Sequence, residues 1–344
     1  MKREEYLIFI LEIAGSALIG FFIGSLLLLV LGFDPLKSFS SLIIGGLYDL
    51  DYLLSEATFV MLTGLAFSIP AMASVFNIGG EGQVYLGALA SLIVAHHTGN
   101  ILLSVLIGVS VGALVGGLMG ILKVYKGVNE VITAIMLNWI FYYITLYLIT
   151  NIYYNPLAPY ESIRVPKSSR IGYIDTPLGR IHLIFFISII TCIITYIVLY
   201  NTKIGYSIRV SGLSYKSAEY AGFNPSKNVV YSLVMGGVFG GLSGALKVVG
   251  FSYSIDTTMS SLYGIGFDGI GVALLGRNNP LGIIFSSIFY SMLIVGGHIM
   301  QIELNAPKEL VDTLIGTLII ALSLPYAYRI ILSKFKIMRM VRRF

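Results

Sequence analysis

Apolar runs of roughly 20 residues, parted by short polar breaks, recur along almost the whole chain, and that is the length one helical crossing of a hydrocarbon core demands. Strands of a membrane barrel would alternate apolar and polar residues, and these runs do not. They predict crossings near 7–31, 57–76, 84–97, 101–122, 128–150, 182–200, 229–250, 263–276, 280–298 and 310–330. The fold class is therefore an all-α polytopic membrane protein of about ten transmembrane helices, the third and eighth short and glycine-rich. A soluble domain is excluded, since 56% of the 344 residues are hydrophobic and only 11% charged.

Basic residues test this topology, because Lys and Arg gather in cytoplasmic loops. With the N-terminus inside, fifteen of the 22 Lys and Arg residues fall in cytoplasmic segments, including Lys2, Arg3, Lys123, Lys126 and the tail residues Arg329 to Arg343. Six fall outside, and Lys247 lies within a crossing. Both termini are thus expected in the cytoplasm, in a multi-pass protein of the cytoplasmic membrane. The net charge of +5 suits anionic lipid headgroups. No nucleic-acid module is visible. The first apolar run is too long for a signal-peptide core and no cleavage site follows it, so it is expected to remain as an anchor. Cys192 is the only cysteine, which rules out an intrachain disulfide. His96, His97, His182 and His298 fall at external ends of crossings without metal-site spacing, and interfacial solvation accounts for them.

Two segments share the pattern I-G-x-acid-G: Ile78 to Gly82 after the second crossing, and Ile265 to Gly269 after the seventh. The charge bias runs those crossings in opposite directions, which predicts an inverted repeat with units at about 57–150 and 229–332 inside a single transmembrane domain of residues 1–344. Transporters built this way bind solute where shortened helices meet. The 38 glycines cluster in strings such as Gly112, Gly116, Gly117 and Gly120, or Gly236, Gly237, Gly240, Gly241 and Gly244. Small faces of this kind let helices approach closely in lipid.

Polar residues at depth are few, and each is a candidate for the solute pathway. They are Asn77, Glu81, Gln83, Asn129, Glu130, Asn138 and Asp268. Amides and carboxylates lining a path would read a small polar solute by hydrogen bonds. The alternative is that they cap broken helices or pair across them, as Glu81 would with Lys247. No HExxH, no Ser/His/Asp arrangement and no paired carboxylates occur, so no enzyme, metal or cofactor is expected in this chain. The absence of a G-x-x-x-x-G-K-[ST] loop places any ATP hydrolysis on a different subunit.

Residues 201–228 form a long polar, basic interval, with an external loop at 151–181 rich in proline. Within the former, Ser214 as N-cap and Gly222 as stop predict a short helix over Tyr215 to Tyr220 lying on the cytoplasmic surface. The stretches FNIGGEGQVYLG (76–87), NEVITAIMLN (129–138), RVSGLSYKSAEYAG (209–222), GIGFDGIGVALLGRNNP (264–280) and PKELVD (307–312) together resemble membrane permeases of ATP-binding-cassette (ABC) importers, in the branch serving ribose, branched-chain amino acids and nucleosides. The chain is most similar to the longer permease of nucleoside uptake systems with a basic-membrane-protein-type lipoprotein receptor. This resemblance implies ATPase coupling through Arg209, Gly212, Ser217, Ala218, Glu219, Ala221 and Gly222. It implies four partners: a cytoplasmic ABC ATPase, a second, paralogous permease, an extracytoplasmic substrate-binding lipoprotein docking on 151–181, and membrane lipid. Ser214, Tyr215 and Ser217 depart from the family's usual pattern. A sugar or branched-chain amino acid permease of the same branch, or an ion-coupled secondary transporter using Glu81, Glu130 or Asp268, are the rival readings.

Overall fold

Capping chemistry sets most helix boundaries in the computed structural model, which describes residues 3–177 and 179–323. The basic tail from Arg329, Lys2, and the far ends of the tenth crossing and of the second repeat unit lie outside the described residues. Asn100, Asn129, Thr202 and Asn224 each accept a backbone N–H at the start of α5 (Ile101–Lys126), α6 (Glu130–Asn151), α8 (Lys203–Leu213) and α10 (Pro225–Lys247). Gly99 and Gly127, both at φ +65°, end α4 (Gly80–Thr98) and α5 in the left-handed conformation that costs glycine least. The remaining helices are α1 (Arg3–Val30), α2 (Pro35–Ile43), α3 (Leu50–Met72), α7 (Leu183–Asn201), α9 (Tyr215–Tyr220), α11 (Ile265–Leu275), α12 (Pro280–Leu304) and α13 (Lys308–Ser323).

Six of the described helices are long and apolar enough to cross a membrane: α3, α5, α6, α7, α10 with its continuation to Ser252, and α12. The chain is a polytopic helical membrane protein. α4 carries Glu81, Gln83, His96 and His97 and falls short on hydropathy, while α11 is too short. Three elements depart from the sequence reading. α2 was not expected; Asp34 caps it and Pro35 stands at its first position. α8 occupies ground read as loop. The external loop contains two hairpins, β1 (Tyr154–Asn155) with β2 (Ala158–Ser162), and β3 (Tyr173–Thr176) with β4 (Gly179–His182).

The described helices divide into two compact units, one within residues 50–291 and one within residues 3–49 and 292–323. In the larger, α3 is buried along nearly its whole length. Its neighbour α10 meets α5 through glycines. A Cβ on Gly112 would stand 2.6 Å from the Gly241 Cα, and one on Gly241 only 3.0 Å from the Gly112 Cα. Backbones this close gain dispersion contacts that no side chain could supply. Gly241→Val should therefore cost about 1–3 kcal/mol by overpacking; an unchanged melting temperature would contradict that contact. In the smaller unit, Phe21 packs edge-on against Phe39 at 4.8 Å, and Ser41 donates to Glu303 Oε2 at 2.6 Å.

The external loop is zipped to the segment after α10. Ser162, Val165 and Ile171 donate backbone N–H groups to the carbonyls of Ile255, Tyr253 and Val249, at 2.9, 2.8 and 2.9 Å. Thr257 returns one to Tyr160 at 2.9 Å. Asp256 anchors the following turn: burial pushes its carboxyl up, but hydrogen bonds from Ser261, Thr258 and Ser260 outweigh that and hold it well below the usual carboxylate range.

Candidate functional site

The break between α3 and α4 begins with a missing donor. Pro70 has no N–H for the Ala66 carbonyl, four residues back in α3. Asn77 supplies one instead, Nδ2 to Ala66 O at 2.9 Å. Asn77 and Gln83 then exchange amide contacts at 3.3 and 3.4 Å. Asn138 reaches across from α6, accepting from Gly82 N at 2.8 Å and donating to Ile78 O at 3.0 Å. Asn77 and Asn138 are each matched to a backbone group at the break, and Gln83 is matched to the Asn77 amide.

Glu81 closes the site. Its carboxylate accepts from Gly264 N at 2.5 Å and Gly266 N at 2.6 Å, the amides of the N-cap residue and the first turn of α11, and from Tyr85 Oη at 2.6 Å. A carboxylate at a helix N-terminus answers both the orphan donors and the positive end of the dipole. Gly266 has to be glycine, since a Cβ there would come within 2.5 Å of Glu81 Cα. Gly264, at φ +93°, makes the turn that aims both amides at Glu81. Thr63 Oγ1 fastens the same end, donating to Ile265 O at 2.8 Å. The two I-G-x-acid-G motifs thus lie face to face.

Four of the seven pathway candidates, Asn77, Glu81, Gln83 and Asn138, come together here. Asp268 is two residues further along α11 and accepts from Tyr290 Oη at 2.5 Å. Asn129 is the exposed N-cap of α6, and Glu130 pairs with Lys123 at 2.6 Å, so both belong to the α5–α6 connection. The expected pairing of Glu81 with Lys247 does not form. Lys247 binds Glu56 Oε1 at 2.7 Å and lies over the rings of Phe59 and Phe251, at 4.3 and 5.0 Å. Glu81 is already saturated by its amides, and Glu56 is the acid that α3 places beside Lys247. His182 also departs from the sequence reading: it is buried against Asp51, with Nε2 to Oδ1 at 3.2 Å.

Beside the break, Glu81, Tyr85, Ile135 and Asn138 floor an open-sided cavity of about 120 Å³. Trp139, Tyr142, Tyr263 and Phe267 wall it. Tyr142 meets Tyr85, Trp139 and Tyr263 edge-on, with centroids 5.7, 5.7 and 6.4 Å apart. Sequence reasoning passed over this wall, although Trp139 is the chain's single tryptophan.

In the polar interval, α9 spans Tyr215–Tyr220, with the Ser214 hydroxyl accepting from Ser217 N at 3.3 Å and Gly222 at φ +79°. Arg209 lies over the Tyr200 ring at 4.5 Å, and the Gly212 carbonyl accepts from Ser74 Oγ at 2.7 Å. Ala218 is fully buried within the chain, so it seats α9 and does not present itself to a partner. Ser217, Glu219, Ala221 and Gly222 are exposed.

The family described as "Branched-chain amino acid transport system / permease component" matches residues 50–323. The chain belongs to this permease family. It is 31% identical to the guanosine ABC transporter permease protein NupP of Bacillus subtilis over 93% of its own length and 95% of that protein's. It is 29% identical to the nucleoside ABC transporter permease protein NupB of Lactococcus lactis, covering 92% of the chain and 91% of the relative. The glucose ABC transporter permease protein TsgB13 of Haloferax volcanii is 26% identical over 87% of the chain and 83% of its own. Each of these organisms has a second matching ABC permease, 23 to 26% identical over 69 to 73% of the chain. No solved structure matches. The permease is thus a transport component, akin to ABC permeases and to no named enzyme.

Proposed function

We propose that the permease forms half of a nucleoside-conducting pore, moving its solute into the cell by alternating access on ATP hydrolysed by a separate subunit. Similarity to a guanosine and a nucleoside permease over more than nine-tenths of the chain carries this reading. The facing I-G-x-acid-G motifs support an inverted repeat of units 57–150 and 229–332, within ten crossings and with both termini in the cytoplasm. The exposed part of α9 would seat on the ATPase. The second permeases of the relatives' organisms favour a paralogous permease as the other half of the pore. The hairpins of 151–181 would receive a lipoprotein carrying the solute. Asn77, Glu81, Gln83 and Asn138 hold the walls of the path in register, and Asp268 braces the same wall from α11.

Vesicles containing the permease with its genomic partner subunits should take up labelled guanosine only with a hydrolysis-competent ATPase. Glucose and leucine should not compete. ATP-dependent uptake of glucose alone would replace the substrate, a reading that the 26% identical glucose permease makes specific. Uptake indifferent to the ATPase would replace the engine.

A further inference from the structure

We infer that the aromatic cavity between α4, α6 and α11 is a transient binding site for the base of a neutral nucleoside, resting on the nucleoside reading above. Its volume of about 120 Å³ is of the order that accommodates a single aromatic ring. One ring of a base can enter while the rest of a purine and the sugar stay at the open side. Trp139, Tyr263 and Phe267 line the cavity and are 50, 57 and 42% exposed, so these rings are not fully covered by neighbours within the chain. Base–aromatic stacking is tolerant of which base is bound. Among the described residues the hydroxyls of Tyr142 and Tyr263 make no hydrogen bond within the chain, and each can donate and accept at the edge of a heterocycle. An acyl chain in the same cavity would leave both unmet.

The floor sets the charge of the ligand. Glu81 and Asn138 are held by backbone groups, so they shape the cavity and are not drawn out of it. No basic residue lines it. A nucleotide would bring its phosphate to a cavity whose only charged side chain is a carboxylate, whereas a nucleoside brings no charge at all.

Trp139 is a built-in probe, since it is the only tryptophan of this chain. The complete transporter in lipid discs, measured as the emission difference between wild type and Trp139→Phe, should show saturable quenching by guanosine. GMP, ribose and leucine should not quench. Tyr142→Ala should raise the half-saturating guanosine concentration about 5- to 150-fold, the range of one lost stacking contact, with Tyr142→Phe closer to wild type. If Tyr142→Ala fails to assemble, Tyr263→Ala at the exposed rim carries the same expectation. ATP-driven guanosine uptake without any Trp139 response would overturn the site and leave the nucleoside reading standing. So would emission that follows the lipid of the disc and ignores guanosine. A transporter that moves no guanosine overturns the nucleoside reading itself.

Discussion

Lys247→Met alone should destabilise the protein by about 3–5 kcal/mol, and Glu56→Leu with Lys247→Met should recover most of that loss. The two groups are 4 and 7% exposed and 2.7 Å apart, so removing either leaves its partner charged in an apolar surround. Removing both replaces a desolvated ion pair by packed hydrocarbon, which costs little. Phe59 and Phe251 would then line a wholly apolar contact in place of a cation–π one. A double-mutant cycle on melting temperature reads the coupling directly. Additive losses would show that the pair is incidental. The double variant should also keep ATP-driven uptake, because the pair fastens α3 to α10 and lies away from the break.

Glu81→Ala should cost at least about 3 kcal/mol, because it strands the amides of Gly264 and Gly266 and the Tyr85 hydroxyl, each worth about 1–3 kcal/mol when buried without a partner. Glu81→Gln keeps the shape but turns an amide NH2 toward one of those donors, so an intermediate loss is expected. Transport should fall in the same order as melting temperature. That ordering separates a structural clasp from a proton-carrying acid, for which Glu81→Gln would abolish gradient coupling while leaving the fold stable. A Glu81→Ala protein that melts like wild type would sink the clasp.

What could be read beforehand follows from how local each determinant is. α9 was legible to the residue because Ser214 and Gly222 decide a six-residue helix between them. The α2 signal, Asp34 followed by Pro35, was equally local and was overlooked. α8 depends on contacts far away in sequence: Asn228 on α10 donates to Ser207 O at 3.1 Å and to Ser211 Oγ at 2.8 Å. The polar cluster at the break was found from depth alone, since buried amides in a membrane chain are rare. Which acid meets Lys247 could not be found that way, because Glu56 lies just before the predicted crossing at 57–76, whereas α3 itself starts at Leu50. The aromatic wall was hidden by abundance. A chain with 23 tyrosines and 19 phenylalanines offers no sign of which rings turn toward one another.

The glycine contact of α5 with α10 and the Glu81 clasp between α4 and α11 have one further consequence. Helices whose backbones touch cannot slide without first separating, and a short helix held by its leading amides cannot swing alone. Residues 50–291 should then tilt as one block, with the gate opening along the outer edge of that block, against the second permease proposed above. Spin labels on α4 and α11 should hold a constant separation through the ATP cycle, while labels placed across the two permeases change theirs.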